Sequence, residues 1–224
     1  MNISILLPYK ENYVDNKAGA VSLFVNDIVR ESVYRKTIKV YGNTSYKKYL
    51  SPNYINIRVN KNLFQSSNYH YVESFINHME AIYSDLIEVH NRPKYINQIR
   101  KKYSNKLILY FHNDPLEMNG SRSILERIDL LHKVDKIIFN SEWCRDRFFI
   151  DLENKEKLLN KTAICFQSAS KVKINFKEKM NIISFVGKLN RAKGYDVFGN
   201  AIIKILDKHK SWSAKVYGDE PREK

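Results

Sequence analysis

Two hydrophobic periods alternate along the chain. Short, mainly apolar runs recur at Asn2–Leu7, Ile38–Tyr41, Leu86–His90, Lys106–Phe111, Lys136–Asn140, Thr162–Phe166 and Ile182–Val186, and Tyr54–Val59 alternates apolar with polar. Runs of this length and composition predict strands, most of them buried on both faces. Between them the apolar residues fall at helical spacing. Val21, Phe24, Val25, Ile28 and Val29 share one side of a helix that opens at Gly19-Ala20 and runs to about Tyr34. Further helices are predicted at Tyr71–Ser84 and, with Pro in its first turn, at Pro93–Tyr103. Ser123 with Glu126 forms a capping box for a helix to about His132, and Ser141 caps the next with Glu142 in its first turn. After Gly194, a last helix carries Val197, Phe198, Ala201, Ile202, Ile205 and Leu206 on one face.

Strands and helices alternating at these lengths predict an α/β fold with a doubly wound, Rossmann-like parallel sheet. The 224 residues exceed what one such sheet needs. The predicted division is a first Rossmann-like domain over 1–172, a polar and basic linker over 173–180, and the first βαβ part of a second Rossmann-like domain over 181–224. In such sheets ligands sit beyond the carboxyl ends of strands, so the residues just after each strand are the ones to inspect.

Hydrophobic residues make up 43% and charged residues 28%, the balance of a soluble globular chain. The opening MNISILLPYK has no basic segment before its apolar run, so it reads as a first strand rather than a secretory leader. The two cysteines, Cys144 and Cys165, lack metal-like spacing and fit a reducing compartment. The expected location is therefore cytoplasmic. The net charge of +14 changes the picture further. The lysines are scattered and form no dense basic arm, which argues against nucleic acid and leaves two readings, a compositional bias towards Lys, Asn, Ile and Tyr with no partner behind it, and peripheral attraction to the anionic inner face of a membrane.

The candidate chemistry follows the strands. Ile182–Val186 runs into Gly187, then a loop with Lys188, Arg191 and Lys193, then Gly194 at a helix start. Helix N-termini favour anions through their N–H groups and dipole, and loop lysines add full charge, so this stretch is a candidate diphosphate site that needs no metal. It is neither a P-loop nor a G-x-G-x-x-G turn. On residues alone, a plain strand–loop–helix unit with solvated lysines is the better-supported explanation. Gly19 follows the first strand, where it serves as a helix start or as a place of close backbone approach. Arg92, in His90-Asn91-Arg92-Pro93, and Asp114, in His112-Asn113-Asp114-Pro115, follow two further strands. His112 is a strand-end histidine, a residue type that titrates near neutrality. Capping by Asn91 and Pro93 or a satisfied structural histidine would account for these positions too. No Ser-His-Asp set, Cys/His cluster or Asp-x-Asp is present at motif spacing.

Gly187-Lys188-Leu189, three variable residues and Lys193-Gly194 resemble the start of the donor domain in family-4 retaining glycosyltransferases of the GT-B fold, whose pattern is Gly-Arg-Leu, three residues, Lys-Gly. Lys188 stands where the family has Arg, and lacks its bidentate fork. Ala214–Pro221 is similar to the family's next strand and its Gly-x-Gly-Pro turn, with Gly218 as the first glycine and Glu220 in place of the second. Asp135–Ser141 resembles a strand of the family's first domain, with Ser141 read as a structural cap. The resemblance implies transfer, with retention, of a sugar from a nucleotide diphosphate sugar to a hydroxyl acceptor, such as an envelope glycan or glycolipid, with no cofactor or metal. It implies that Gly19, Gly187, Lys188, Lys193 and Gly194 approach the donor diphosphate. His112 would be the catalytic histidine near the transferred sugar, and Arg92, Asp114 and Gly218 would line the cleft. The family's Glu-x7-Glu element, which contacts the sugar and the ribose, has no counterpart here. The sequence therefore reads as truncated within the donor domain. This leaves open an alternative, a non-catalytic binding or scaffold protein, and self-association through the open edge of the second domain.

Overall fold

The computed structural model describes residues 1–59, 65–168, 173, 175 and 179–219. The chain divides into two compact units, Met1–Ala169 and Ser170–Lys224. Half of the expected linker over 173–180, namely 174 and 176–178, together with Glu220 and Pro221, lies outside the described residues.

Unit 1 is built on seven parallel strands: β1 (Ile3–Leu6), β2 (Ile38–Gly42), β3 (Tyr54–Asn56), β4 (Leu86–His90), β5 (Lys106–Phe111), β6 (Lys136–Phe139) and β7 (Thr162–Ile164). Their order is β3-β2-β1-β4-β5-β6-β7. The sheet grows one way from β1 and the other way from β4, so the topological switch lies between these two strands. That is where a doubly wound sheet opens its ligand crevice.

The strands read as continuous apolar runs because both faces are covered. Ile3, Ile5 and Leu7 enter one core with Val21, Phe24, Val25 and Val29 of α1 (Ala20–Glu31). Leu6, one residue out of phase, enters the opposite core. That larger core takes Phe75 from α2 (Ser67–Ala81), Ile96 from α3 (Tyr95–Arg100), Leu130 from α4 (Ile124–Lys133) and Phe148 from α5 (Glu142–Phe148).

Local chemistry sets the helix starts. Ser123 and Glu126 form the full reciprocal capping box of α4, and Ser141 Oγ accepts from Cys144 N at 3.2 Å to cap α5. Two predicted boundaries shift. The helix expected from Tyr71 starts at Ser67, because Ser66 Oγ accepts from Tyr69 N. The helix expected over Pro93–Tyr103 is only Tyr95–Arg100, flanked by turns. A short helix, α6 (Lys155–Leu158), was not anticipated; its N-cap Asn154 sits in the left-handed region, a start that carries no apolar periodicity.

Unit 2 contains β8 (Ile182–Val186), α7 (Tyr195–Lys208) and β9 (Ser213–Tyr217), with β8 and β9 parallel. It is one βαβ unit. Ile202 is its one buried large apolar residue among those described, while Val186, Val197 and Ile203 are exposed. Among the described residues, no helix is long and apolar enough to cross a membrane.

Candidate functional site

The switch point of unit 1 is lined by the ends of β4 and β5, which carry the same dipeptide. His90-Asn91 ends the first strand and His112-Asn113 follows the second. The register pairs His90 with Tyr110, so His112 lies two residues further along on the same face. The result is a stack: the His90 ring lies 5.2 Å from Tyr110 at 7°, and Tyr110 lies 4.5 Å from His112 at 22°. Phe24 of α1 meets His112 edge-on at 5.2 Å.

The two histidines belong to one polar chain. Gln167 Nε2 is 2.8 Å from His112 Nδ1, His112 Nε2 is 2.9 Å from His90 Nδ1, and His90 Nε2 faces Glu88 Oε1 at 2.9 Å. The last contact lacks hydrogen-bond alignment, so His90 Nε2 lies near the carboxylate without a hydrogen-bond partner among the described residues. Only one tautomer assignment serves every contact. The Gln167 amide donates to His112 Nδ1, His112 Nε2–H donates to His90 Nδ1, and His90 Nε2–H faces the carboxylate. The reverse assignment aims a ring lone pair at Glu88. Burial, with His90 adding to it, pushes the His112 pKa down to about 3. At neutral pH His112 is therefore an uncharged ring with both nitrogens engaged, and Gln167, an exposed side chain, is the partner most easily exchanged.

A second network fixes the asparagines. Asn91 is buried, donates to Asn113 Oδ1 at 3.0 Å and accepts from His112 N at 3.1 Å. Asn140 holds the His112 carbonyl at 3.0 Å. Asp114 caps Leu116 N and pairs with Arg147 at 2.9 Å. Beside these residues opens a cavity of about 880 Å³, lined by Arg92, Asp114 and amide side chains such as Asn68, Asn91, Gln98 and Asn113. The sequence-predicted Arg92 and Asp114 thus share one cavity, while His112 is outside its lining. Neither the cavity nor His90, Glu88 and Gln167 was read from the sequence. The repeated His-Asn at the ends of two neighbouring strands was the available signal.

Gly19 is the N-cap of α1. A Cβ there would collide with the Glu11 carboxylate, and Glu11 Oε1 accepts from Ser22 N at 3.2 Å. The positive end of this helix already holds an anionic side chain.

In unit 2 the loop after β8 folds back. A Cβ on Gly187 would lie 4.0 Å from Lys193 Cβ, and one on Gly218 would strike the Gly187 carbonyl. Gly187, Lys193 and Gly218 are therefore neighbours. Gly194 has φ +72°, with open space at the Cβ position, so it is required for its conformation and not for room. The first N–H groups of the turn are used internally: Lys193 N donates to Asn190 Oδ1 at 3.1 Å, Gly194 N to Arg191 O at 2.9 Å and Tyr195 N to Asn190 O at 3.3 Å. Arg191 faces Asp196 at 3.6 Å. Lys188 and Lys193 are exposed and make no ion pair among the described residues. These two side chains add two full charges to the anion attraction of the turn.

Gly218→Ala is expected to force β9 off the Gly187 turn, at a cost of about 1–3 kcal/mol. Thermal unfolding followed by resolved unit 2 resonances would read this as a selective loss, while unit 1 resonances stay unshifted.

No family model matches the chain, and no curated protein matches it. Solved structures do. HepE of Anabaena in complex with UDP-glucose superposes with TM-score 0.66 at 15% identity, over 97% of this chain and 60% of that one. The fold is that of the GT-B glycosyltransferases. The lipopolysaccharide outer core galactosyltransferase WaaB, in its apo form, gives TM-score 0.59 at 12% identity over 99% of this chain and 62% of that one. UDP-GlcNAc 2-epimerase from Neisseria meningitidis, bound to UDP-GlcNAc, gives 0.55 at 11% over 99% and 67%. The GT-B likeness is thus one of fold, shared with a protein whose reaction is not sugar transfer. The chain spans about three fifths of the length of HepE and WaaB. Among the described residues no three His, Cys, Asp or Glu side chains gather as a metal-ligand set.

Proposed function

We propose that the chain is the acceptor-side domain and the opening βαβ unit of the donor domain of a retaining glycosyltransferase. In this reading it moves a sugar from a nucleotide diphosphate sugar to a hydroxyl of a glycan or glycolipid of the cell envelope. The observation that carries the reading is the turn after β8, where Gly187 lies between Lys193 on one side and Gly218 on the other, and where Lys193, like Lys188, is exposed and without a carboxylate partner among the described residues. Two such cations suit the charge that develops on a departing diphosphate, and each contributes roughly 3 kcal/mol in the transition state. HepE and the epimerase, which share the fold, are named with a uridine diphosphate sugar bound.

The reading assigns the remaining roles. His112, neutral at pH 7, serves as a hydrogen-bonding group to a sugar hydroxyl that replaces Gln167 at Nδ1, and not as a proton donor. Gly194 holds the turn. A donor phosphate reaches Gly19 only by displacing Glu11 from the α1 N-terminus. Catalysis without a resident metal, a cytoplasmic location and contact with the inner face of a membrane complete the reading, the last supported by the charge of +14.

The test is nucleotide release from a panel of nucleotide diphosphate hexoses, with and without a pool of envelope glycans. The reading expects acceptor-dependent release, a product linkage of the same anomeric configuration as the donor, and a loss of about 100-fold in Lys193→Ala. Donor binding with no turnover under any acceptor would instead favour a binding protein.

A further inference from the structure

The cavity of unit 1 is specific enough in its chemistry to name a ligand class. Its volume of about 880 Å³ lies near the top of the roughly 300–1,000 Å³ typical of small-molecule sites. Its walls are amides held by one end. Asn68 Oδ1 accepts from Tyr95 Oη at 2.7 Å, which leaves its NH₂ group open. Asn113 Oδ1 accepts from Asn91, leaving a second NH₂ group. Gln98 Nε2 donates to the Tyr69 carbonyl at 3.1 Å, leaving its own carbonyl. Fixed donors and acceptors side by side match hydroxyl groups, which both donate and accept.

The charges are unbalanced. Arg92, Lys94 and Lys101 line the cavity and form no ion pair among the described residues. Of the two acids in the lining, Asp114 is already neutralised by Arg147 at 2.9 Å, which leaves only Glu117. Three cations against one free carboxylate select for negative charge, with half-buried Arg92 the least screened of the three.

We infer that this cavity binds an anionic saccharide, a sugar carrying a carboxylate or phosphate, with the amides on its hydroxyls and Arg92, Lys94 and Lys101 around its acidic group. The inference rests on the acceptor-domain reading of unit 1 and narrows it to an acidic acceptor.

Binding to the full 224-residue chain, measured by ligand-observed NMR and calorimetry without nucleotide, tests it. The probes are trigalacturonate against maltotriose, and glucose 6-phosphate against glucose and inorganic phosphate. At least one acidic sugar is expected to bind about tenfold more tightly than its neutral counterpart. The gap should close in Lys94→Gln/Lys101→Gln, two exposed positions whose replacement leaves the fold intact as judged by circular dichroism. Trigalacturonate alone meeting this test identifies a carboxylate ligand, and glucose 6-phosphate alone a phosphate one. Equal binding of acidic and neutral sugars overturns the inference but keeps unit 1 as an acceptor domain. Inorganic phosphate binding as tightly as glucose 6-phosphate, with trigalacturonate no better than maltotriose, reduces the cavity to an anion site and overturns it. Absence of binding by every sugar overturns the acceptor reading as well.

Discussion

Acidification from neutrality towards about pH 4 destabilises unit 1, and His112→Gln removes most of that dependence. The cause is the burial of an uncharged imidazole. His112 titrates at about 3 in the folded chain, far below the ordinary histidine value of 6.5. Between those two values the unfolded chain takes up a proton that the folded chain refuses. Stability is therefore at its plateau above about pH 6.5, falls as pH drops through the window, and levels off below about pH 3. The loss across the window is on the order of a few kcal/mol, a large share of the stability of a domain this size. Glu126, whose carboxylate is held low by the Ser123 backbone, also favours the folded state, but its contribution is lost only as pH falls below the ordinary carboxylate value of 4.5, in the lower part of the histidine window. Thermal midpoints measured in steps between about pH 7 and pH 4 separate the two. A variant that merely weakens packing lowers every midpoint equally. Removal of the buried titration flattens the slope. A slope unchanged in His112→Gln would mean that the proton is taken up elsewhere.

Replacing either Lys188 or Lys193 with Ala weakens binding of a nucleoside diphosphate by roughly tenfold to a hundredfold, the loss expected for one charge-assisted contact to phosphate. The double variant loses both. The effect should be large because the turn has little else to offer. The N–H groups of Lys193, Gly194 and Tyr195 are satisfied within the turn, and Asp196 already stands in the first turn of α7 with Arg191 beside it. Both lysines are exposed, so part of the affinity is screened by salt, and the wild-type chain should lose affinity as ionic strength rises while the double variant does not. Calorimetric titrations at two salt concentrations measure both effects. Equal affinities in wild type and variants would remove the lysines from the site.

The parts legible in the sequence were those governed by local pattern. β4, β5 and β8 were bounded correctly because each is a short, mainly apolar run closed by a polar residue or glycine. Ser123, Glu126 and Ser141 were assigned as caps from spacing alone. The Lys193–Gly194 turn followed from its glycines and cations. What could not be read depends on contacts across the sheet. Glu11 occupies the α1 N-terminus from a loop eleven residues away from Ser22. His112 is neutral because it is buried beside His90, twenty-two residues earlier, and its other nitrogen meets exposed Gln167, fifty-five residues later. The cavity collects residues from three separate segments, and no window of the sequence holds its charge balance. The same limit explains α2, whose first turn at Ser67 lacks the apolar residues by which a helix is noticed and starts instead at the Ser66 cap.

The most direct test of the central claim compares nucleoside diphosphates with the matching monophosphates as ligands of the wild-type chain, with uridine, adenosine and guanosine series side by side. The account predicts that, in at least one series, the diphosphate binds about tenfold or more tightly than the monophosphate, with chemical-shift changes that include Gly187, Lys193 and Gly218. Equal affinity for the two forms, or changes that avoid the turn after β8, would contradict it.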